Sequence, residues 1–232
     1  MKSYRLLLIL SFIFTVTTSV KAIELNSANR DSNYVETIKA RSQKIVDKLN
    51  IKNPTNALNV RNIIGNRYFE LNDIYEARDL ATKEVDNIRI ILSDEQKKNE
   101  KGKILDKTDA ELYRTHFAFI SALSLYLNNE QIDKVKDGMT YGVLMVTYNA
   151  TLDMIPLLKE DEKKQIYSWL WEAREYAMDA ESSTKKHGVF GKYKGRINNY
   201  LSKRGYNLTE ERKEWEKRIK GKNALKEGIS IR

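Results

Sequence analysis

The chain has 232 residues, with 41 Lys and Arg against 32 Asp and Glu, two Pro and no Cys. Its 41% of apolar residues and 13 tyrosines exclude an intrinsically disordered chain, and the missing Cys excludes a disulfide scaffold or a cysteine–zinc module. A chain of this length buries a sizeable core as a single domain.

Met1–Ala22 reads as an export signal. Lys2 and Arg5 open it, an apolar run from Leu6 to Val16 follows, and Val20 and Ala22 occupy the two small-residue positions that a signal peptidase reads. Cleavage before Ile23 is the expectation. The run is shorter than the ~20 residues of a comfortable membrane span, and no Cys follows it to carry a lipid. A retained anchor is the alternative. The protein is thus expected to be exported, in the periplasm or at the cell exterior, with no membrane span after cleavage. Loss of Lys2, Arg5 and Lys21 lowers the formal charge from +9 to +6. A basic exported protein meets acidic polysaccharide, anionic lipid or another protein, so no nucleic-acid partner is expected.

Helical spacing begins at 34–49, through Tyr34, Val35, Ile38, Ile45, Val46 and Leu49. Asn53-Pro54-Thr55 then starts a long helix to about Leu92, with Val60, Ile64, Tyr68, Leu71 and Tyr75 on one stripe and a candidate break at Asn72-Asp73. Ser93-Asp94-Glu95-Gln96 is a capping box. The lysine-rich residues 97–107, with Gly102, are predicted as an exposed connector. Residues 109–127, the most apolar stretch after the signal, are predicted as a helix at the centre of a bundle. Asn128-Asn129-Glu130-Gln131 repeats the cap and opens a helix to about Met154, with Tyr141 and Tyr148 on one side and Val135, Met139, Val143 and Val146 on the other. It is expected to be buried on both sides, the alternative being that the tyrosines face a cleft. Pro156 separates it from a helix over 160–183. Gly188, Gly191 and Gly195 punctuate a basic loop, followed by short helices at 196–204 and 209–220 and a frayed end over 220–232. No strand alternation appears. The expectation is an all-α, irregular bundle of six to eight helices, a single domain over 23–232.

The helix at 162–183 carries the first candidate site. Ile166, Leu170, Ala173, Ala177 and Ala180 form a stripe about 80° wide, and Glu172, Glu175 and Asp179 lie nearly opposite, within about 60° of one another. Trp169 and Tyr176 border the acids on one side and Trp171 on the other. Rings stack on the C–H faces of a sugar while carboxylates take its hydroxyls or move protons. The competing reading is a solvated acidic face.

The second candidate is a 28-residue stretch, 182–209, without Asp or Glu and with a charge of +7. Lys192, Tyr193 and Arg196 lie among its glycines, a mixture suited to an anionic group such as a uronate or sulfate. It lacks the spacing of a phosphate-binding P-loop. Alternatively, its cations pair with the acids of the preceding helix. His116 sits mid-face in an apolar helix and is expected to be a core histidine satisfied by a hydroxyl or carboxylate. With two His and no Cys, no metal or cofactor is expected, and no G-x-S-x-G elbow points to a serine hydrolase.

The runs Lys134–Tyr141, Trp169–Ala180 and Phe190–Tyr206 together resemble a family of exported proteins from polysaccharide-degrading bacteria. That family is classed as a domain of unknown function and described as sugar-binding. The resemblance covers most of the chain after the signal and implies a protein that accompanies glycan breakdown. It assigns no catalytic residue. The expected function is binding, in preference to processing, of oligosaccharide or polysaccharide fragments, acidic ones included. Trp169, Trp171 and Tyr193 would stack on sugar rings, Glu172, Glu175 and Asp179 would take hydroxyls, and Lys192 and Arg196 would take an anion. The alternative is a periplasmic chaperone or stress adaptor, because Leu92–Gln96 and Leu127–Gln131 are similar to the L-T-x-x-Q phrases of small helical chaperones.

Overall fold

Eight helices, and no strand, make up the described residues of the computed structural model, 22–87 and 92–229, with side chains described through Gly221. They are α1 (Ser32–Val46), α2 (Pro54–Asn87), α3 (Asp94–Ser124), α4 (Asn129–Met139), α5 (Val143–Met154), α6 (Glu160–Met178), α7 (Ser183–Lys203) and α8 (Leu208–Ile229). The all-α class and helix number are those expected. The signal segment, apart from Ala22, lies outside the described residues. Among the described residues no helix is long and apolar enough to cross a membrane.

Local chemistry explains the starts. Ser93 with Gln96 and Asn128 with Gln131 form reciprocal capping boxes, as read from sequence, and Asp31 and Ser182 cap α1 and α7. The cap at Ser93 leads directly into α3, so residues 97–107 are helix and not a connector. Their Lys and Glu are good helix formers, Lys103 pairs with Glu100 at 2.7 Å, and Lys101 reaches Asp86 of α2 at 2.6 Å. The three glycines of the expected basic loop likewise lie inside α7, which ends at Gly205 with φ +97.

Two apolar cores result. The first joins α1–α4 through Ile38, Ile64, Phe69, Leu123, Val135 and Met139, and takes Met178 from the end of α6. The second joins α5–α7 through Leu144, Ile155, Ile166, Leu170, Phe190 and Leu201. The chain passes between them at Tyr141 and Gly142, consecutive residues in the left-handed region (φ 59 and 66), which splits the single helix expected from 130 to 154. The break re-aims the chain: Val135 and Met139 are buried, whereas Val146 and Tyr141 are exposed. α3 is not central either. Its buried side chains are Thr108, Thr115, Phe119 and Leu123, while Tyr113, Phe117 and Leu125 face water.

An extended segment from Ile23 to Asn26 lies along α2. Asn59 Oδ1 accepts from Ile23 N at 2.9 Å, Asn62 donates to Ile23 O at 2.7 Å, and Asn66 both donates to Glu24 O and accepts from Asn26 N. Three asparagines on one helical face therefore stand in for the strand partner that an isolated extended segment lacks.

Candidate functional site

α6 presents its predicted faces. Ile166, Leu170, Ala173 and Ala177 are buried, and the opposite face stays open between α4 on one edge and α7 on the other. The three acids of that face have different partners.

Asp179, at the end of α6, accepts from Arg67 Nη2 of α2 at 2.7 Å through Oδ1. Its Oδ2 lies 2.8 Å from Nδ1 of His116 on α3, and its backbone carbonyl accepts from the Tyr75 hydroxyl at 2.7 Å. Glu175, one turn earlier, accepts from Lys136 Nζ of α4 at 2.7 Å and lies 3.5 Å from His116 Nε2. Arg174, beside it, spans Asp133 and Asp137 of α4 and lies 3.5 Å from Glu175 Oε1. Four helices thus meet at one ionic cluster.

His116 is therefore the carboxylate-satisfied histidine expected, but with two carboxylates. Their hydrogen bonds, Asp179 first, outweigh burial and push its pKa up to about 9, so both ring nitrogens donate at neutral pH. Burial works to raise the Glu175 carboxyl, yet His116, Lys136 and Arg174 hold it below its ordinary value.

Glu172 belongs to the other edge. It pairs with Arg196 of α7 at 3.4 Å and takes a hydrogen bond from Tyr193. Burial, then the charge and hydrogen bond of Glu172, push the Tyr193 hydroxyl up to about 12. The Arg196 guanidinium covers the Trp169 ring at 4.4 Å, and Tyr200 meets that ring edge-on at 5.2 Å. The structure thus divides the predicted set: Trp169, Glu172, Tyr193 and Arg196 join on the α7 edge, Trp171 and Glu175 meet Lys136 on the α4 edge, and Asp179 is held by α2 and α3. Lys192 belongs to none of these groups and stands exposed on α7.

The remaining aromatics are open to solvent. Trp171 is 45% exposed, with Lys136 Nζ 5.7 Å from its ring, and Tyr176 is 63% exposed. Beside His116 stand Phe117 and Tyr113, 56% and 70% exposed and edge-to-face with each other at 5.0 Å. Two surface hollows, along Gln96–Asp106 of α3 and beside Glu76–Lys83 of α2, share no residue with these clusters. The exposed rings form an open strip beside a charged cluster whose His116, Glu175 and Asp179 are largely covered.

The sequence signature of the family described as "Protein of unknown function (DUF3826)" matches residues 35–221. The chain belongs to the DUF3826 family. No curated protein matches it. The span that defines this DUF3826 domain contains every residue of both clusters.

Other cations of 182–209 fasten the DUF3826 fold. Lys186 is buried and donates to the carbonyls of Ala177 and Met178, capping α6, and its burial lowers its pKa to about 8. Arg204 binds Asp161 and Glu162 at the opposite end of α6. Burial opposes the charge of Glu162, but hydrogen bonds from Tyr206, the Lys159 amide and Arg204 hold its carboxyl at about 2. Arg67, Lys136, Phe117 and Tyr113 carried no functional signal in the sequence. Their sole cue was proximity to helical faces whose partners were unknown.

Proposed function

We propose that this DUF3826 protein binds carbohydrate along the open face of α6. The observation that supports it best is the pair of exposed rings, Trp171 and Tyr176, on the same face as Glu172 and Glu175. Leaving rings of this size in water forgoes on the order of 1 kcal/mol of burial each. Beside carboxylates and donors they form the surface that a sugar uses, one apolar face with hydroxyls around it. Phe117 and Tyr113 extend the ring surface past His116. Glu172 and Arg196, both partly exposed, supply hydrogen-bond partners of both signs.

Binding is favoured over glycoside cleavage. A general acid for that reaction needs a carboxyl raised towards neutrality, whereas Glu175 is held below its ordinary value. Together with the export signal read in Met1–Ala22, the ligand would be a glycan met in the periplasm or outside the cell. The chaperone alternative would draw on exposed Leu125, Val146 and Leu157, of which Val146 lies on α5 and the other two lie in the connections after α3 and α5, not on one helix face.

The test is thermal stability of the chain from Ile23 to Arg232 against neutral, uronic and sulfated oligosaccharides. A ligand at 100 times its Kd stabilises by roughly 2.7 kcal/mol. Loss of that shift in Trp171→Ala and Tyr176→Ala is the expected result. No shift across the panel counts against the reading, and suppression of client aggregation is then the assay to run.

A further inference from the structure

The outer face of α7 carries an ordered row of charge. At 100° per residue Lys185, Lys192, Arg196 and Lys203 fall within about 40° of one another, and at 1.5 Å per residue the row is about 27 Å long. All four are exposed, and the helix contains no acid. The buried face of α7, with Lys186, Phe190, Ile197 and Leu201, is turned away from the row. Arg196 is the link to the α6 strip, through Trp169 and Glu172.

The stripe beside the row is bare. Gly188, Gly191 and Gly195 lie within α7, and a Cβ added at any of them would meet nothing within 4 Å. Neither internal packing nor a left-handed backbone requires them, and glycine weakens a helix interior. Their effect is to leave backbone open next to the cations, with room for a bulky ligand. The like charges repel along the row, so it too works against the isolated helix.

We infer that the α7 row binds the carboxylates of an acidic polysaccharide, a polyuronate chain whose sugar rings rest on the α6 strip. The inference rests on the carbohydrate reading and names its ligand class. A polyuronate suits the row because it repeats one negative charge along a stiff chain, matching a linear array of cations. Arg196 stands where the row and the strip adjoin.

The experiment compares a size-defined polygalacturonate fragment with its methyl ester, the same chain without charge, by calorimetry at low and high salt. The variant is Lys185→Gln/Lys192→Gln/Lys203→Gln, whose exposed positions leave the fold untouched, as circular dichroism would verify. The acid form is expected to bind the parent about tenfold more tightly than the ester, the sum of several exposed charge contacts. Salt and the triple substitution should each remove that preference and leave ester binding unchanged. Equal binding of acid and ester, or a preference that survives the triple substitution, overturns the inference while ester binding upholds the sugar reading. Binding of neither form sinks both. Tighter binding of a single-stranded oligonucleotide through the same lysines would reassign the row to a different polymer.

Discussion

His116 Nδ1 lies 2.8 Å from Asp179 Oδ2, tying α3 to the residue that caps the end of α6 across 63 positions of sequence. The imidazole is held as a cation by this contact and by Glu175, with its pKa raised from 6.5 to about 9.

That raised value gives a pH dependence with a definite sign. A group whose folded pKa exceeds its unfolded one contributes fully below the unfolded value, and the contribution is lost as pH rises through the folded one. Stability against urea should therefore decline between about pH 6.5 and 9, by an order of 1–2 kcal/mol once solvent screening is discounted. In His116→Gln the decline should flatten. An imidazole titration by NMR with a midpoint near 6.5 would contradict the ionic pairing.

Arg67 is buried, and its two terminal nitrogens hold Asp179 and Glu70. Arg67→Ala leaves a cavity and removes one of the two cations that hold the partly buried Asp179, so a loss of about 3–5 kcal/mol is expected from urea melts. Adding Asp179→Ala should recover part of it, which a double-mutant cycle would measure.

Two glycines should respond oppositely to alanine. At Gly138 a Cβ would fall 2.9 Å from Cγ1 of Ile45, a branched side chain with little freedom to withdraw from the α1–α4 contact. Overpacking there costs about 1–3 kcal/mol, against the ~1 kcal/mol that Ala gains over Gly in a helix. Gly191→Ala meets nothing and should stabilise by about 0.5–1 kcal/mol. Calorimetric melting temperatures would separate the two.

The segment Ile23–Asn26 offers a fourth test. Asn59 is fully buried and accepts from Ile23 N. Asn59→Leu should release the segment and cost about 1–3 kcal/mol, the penalty of breaking a buried polar pairing. Deleting 23–26 from the wild-type chain should cost a comparable amount. Fast exchange of the Asn26 amide in the wild type would argue that the docking does not hold.

What was legible in the sequence followed from local rules. Ser93–Gln96 and Asn128–Gln131 contain their own capping partners, and Ile166–Ala177 contains its own period. The failures came where a local cue was outweighed. Lysines and glycines at 97–107 and 188–195 suggested loops, yet helix formers on either side and one good cap carried both segments through as helix. The apolar stretch at 109–127 suggested a central helix because apolarity alone does not tell a buried ring from one left exposed. The acids of α6 were found on one face as read, but their division among α2, α3, α4 and α7 depends on Lys136, His116 and Arg67, which arrive from 39, 59 and 112 residues away. No periodicity encodes such distances.

The Arg67–Asp179 pair also determines how the molecule comes apart. Its first core is built almost wholly from residues before Thr140, which would ordinarily make that half a unit able to melt alone. Yet that half encloses a guanidinium, one of whose two counter-charges comes from the end of α6, and it is closed by Met178 from the same turn. A chain that lost its second half would leave that buried guanidinium with Glu70 alone and an open end on its core. The two cores should therefore unfold in one transition, with the last turn of α6 as the joint that neither half can release by itself.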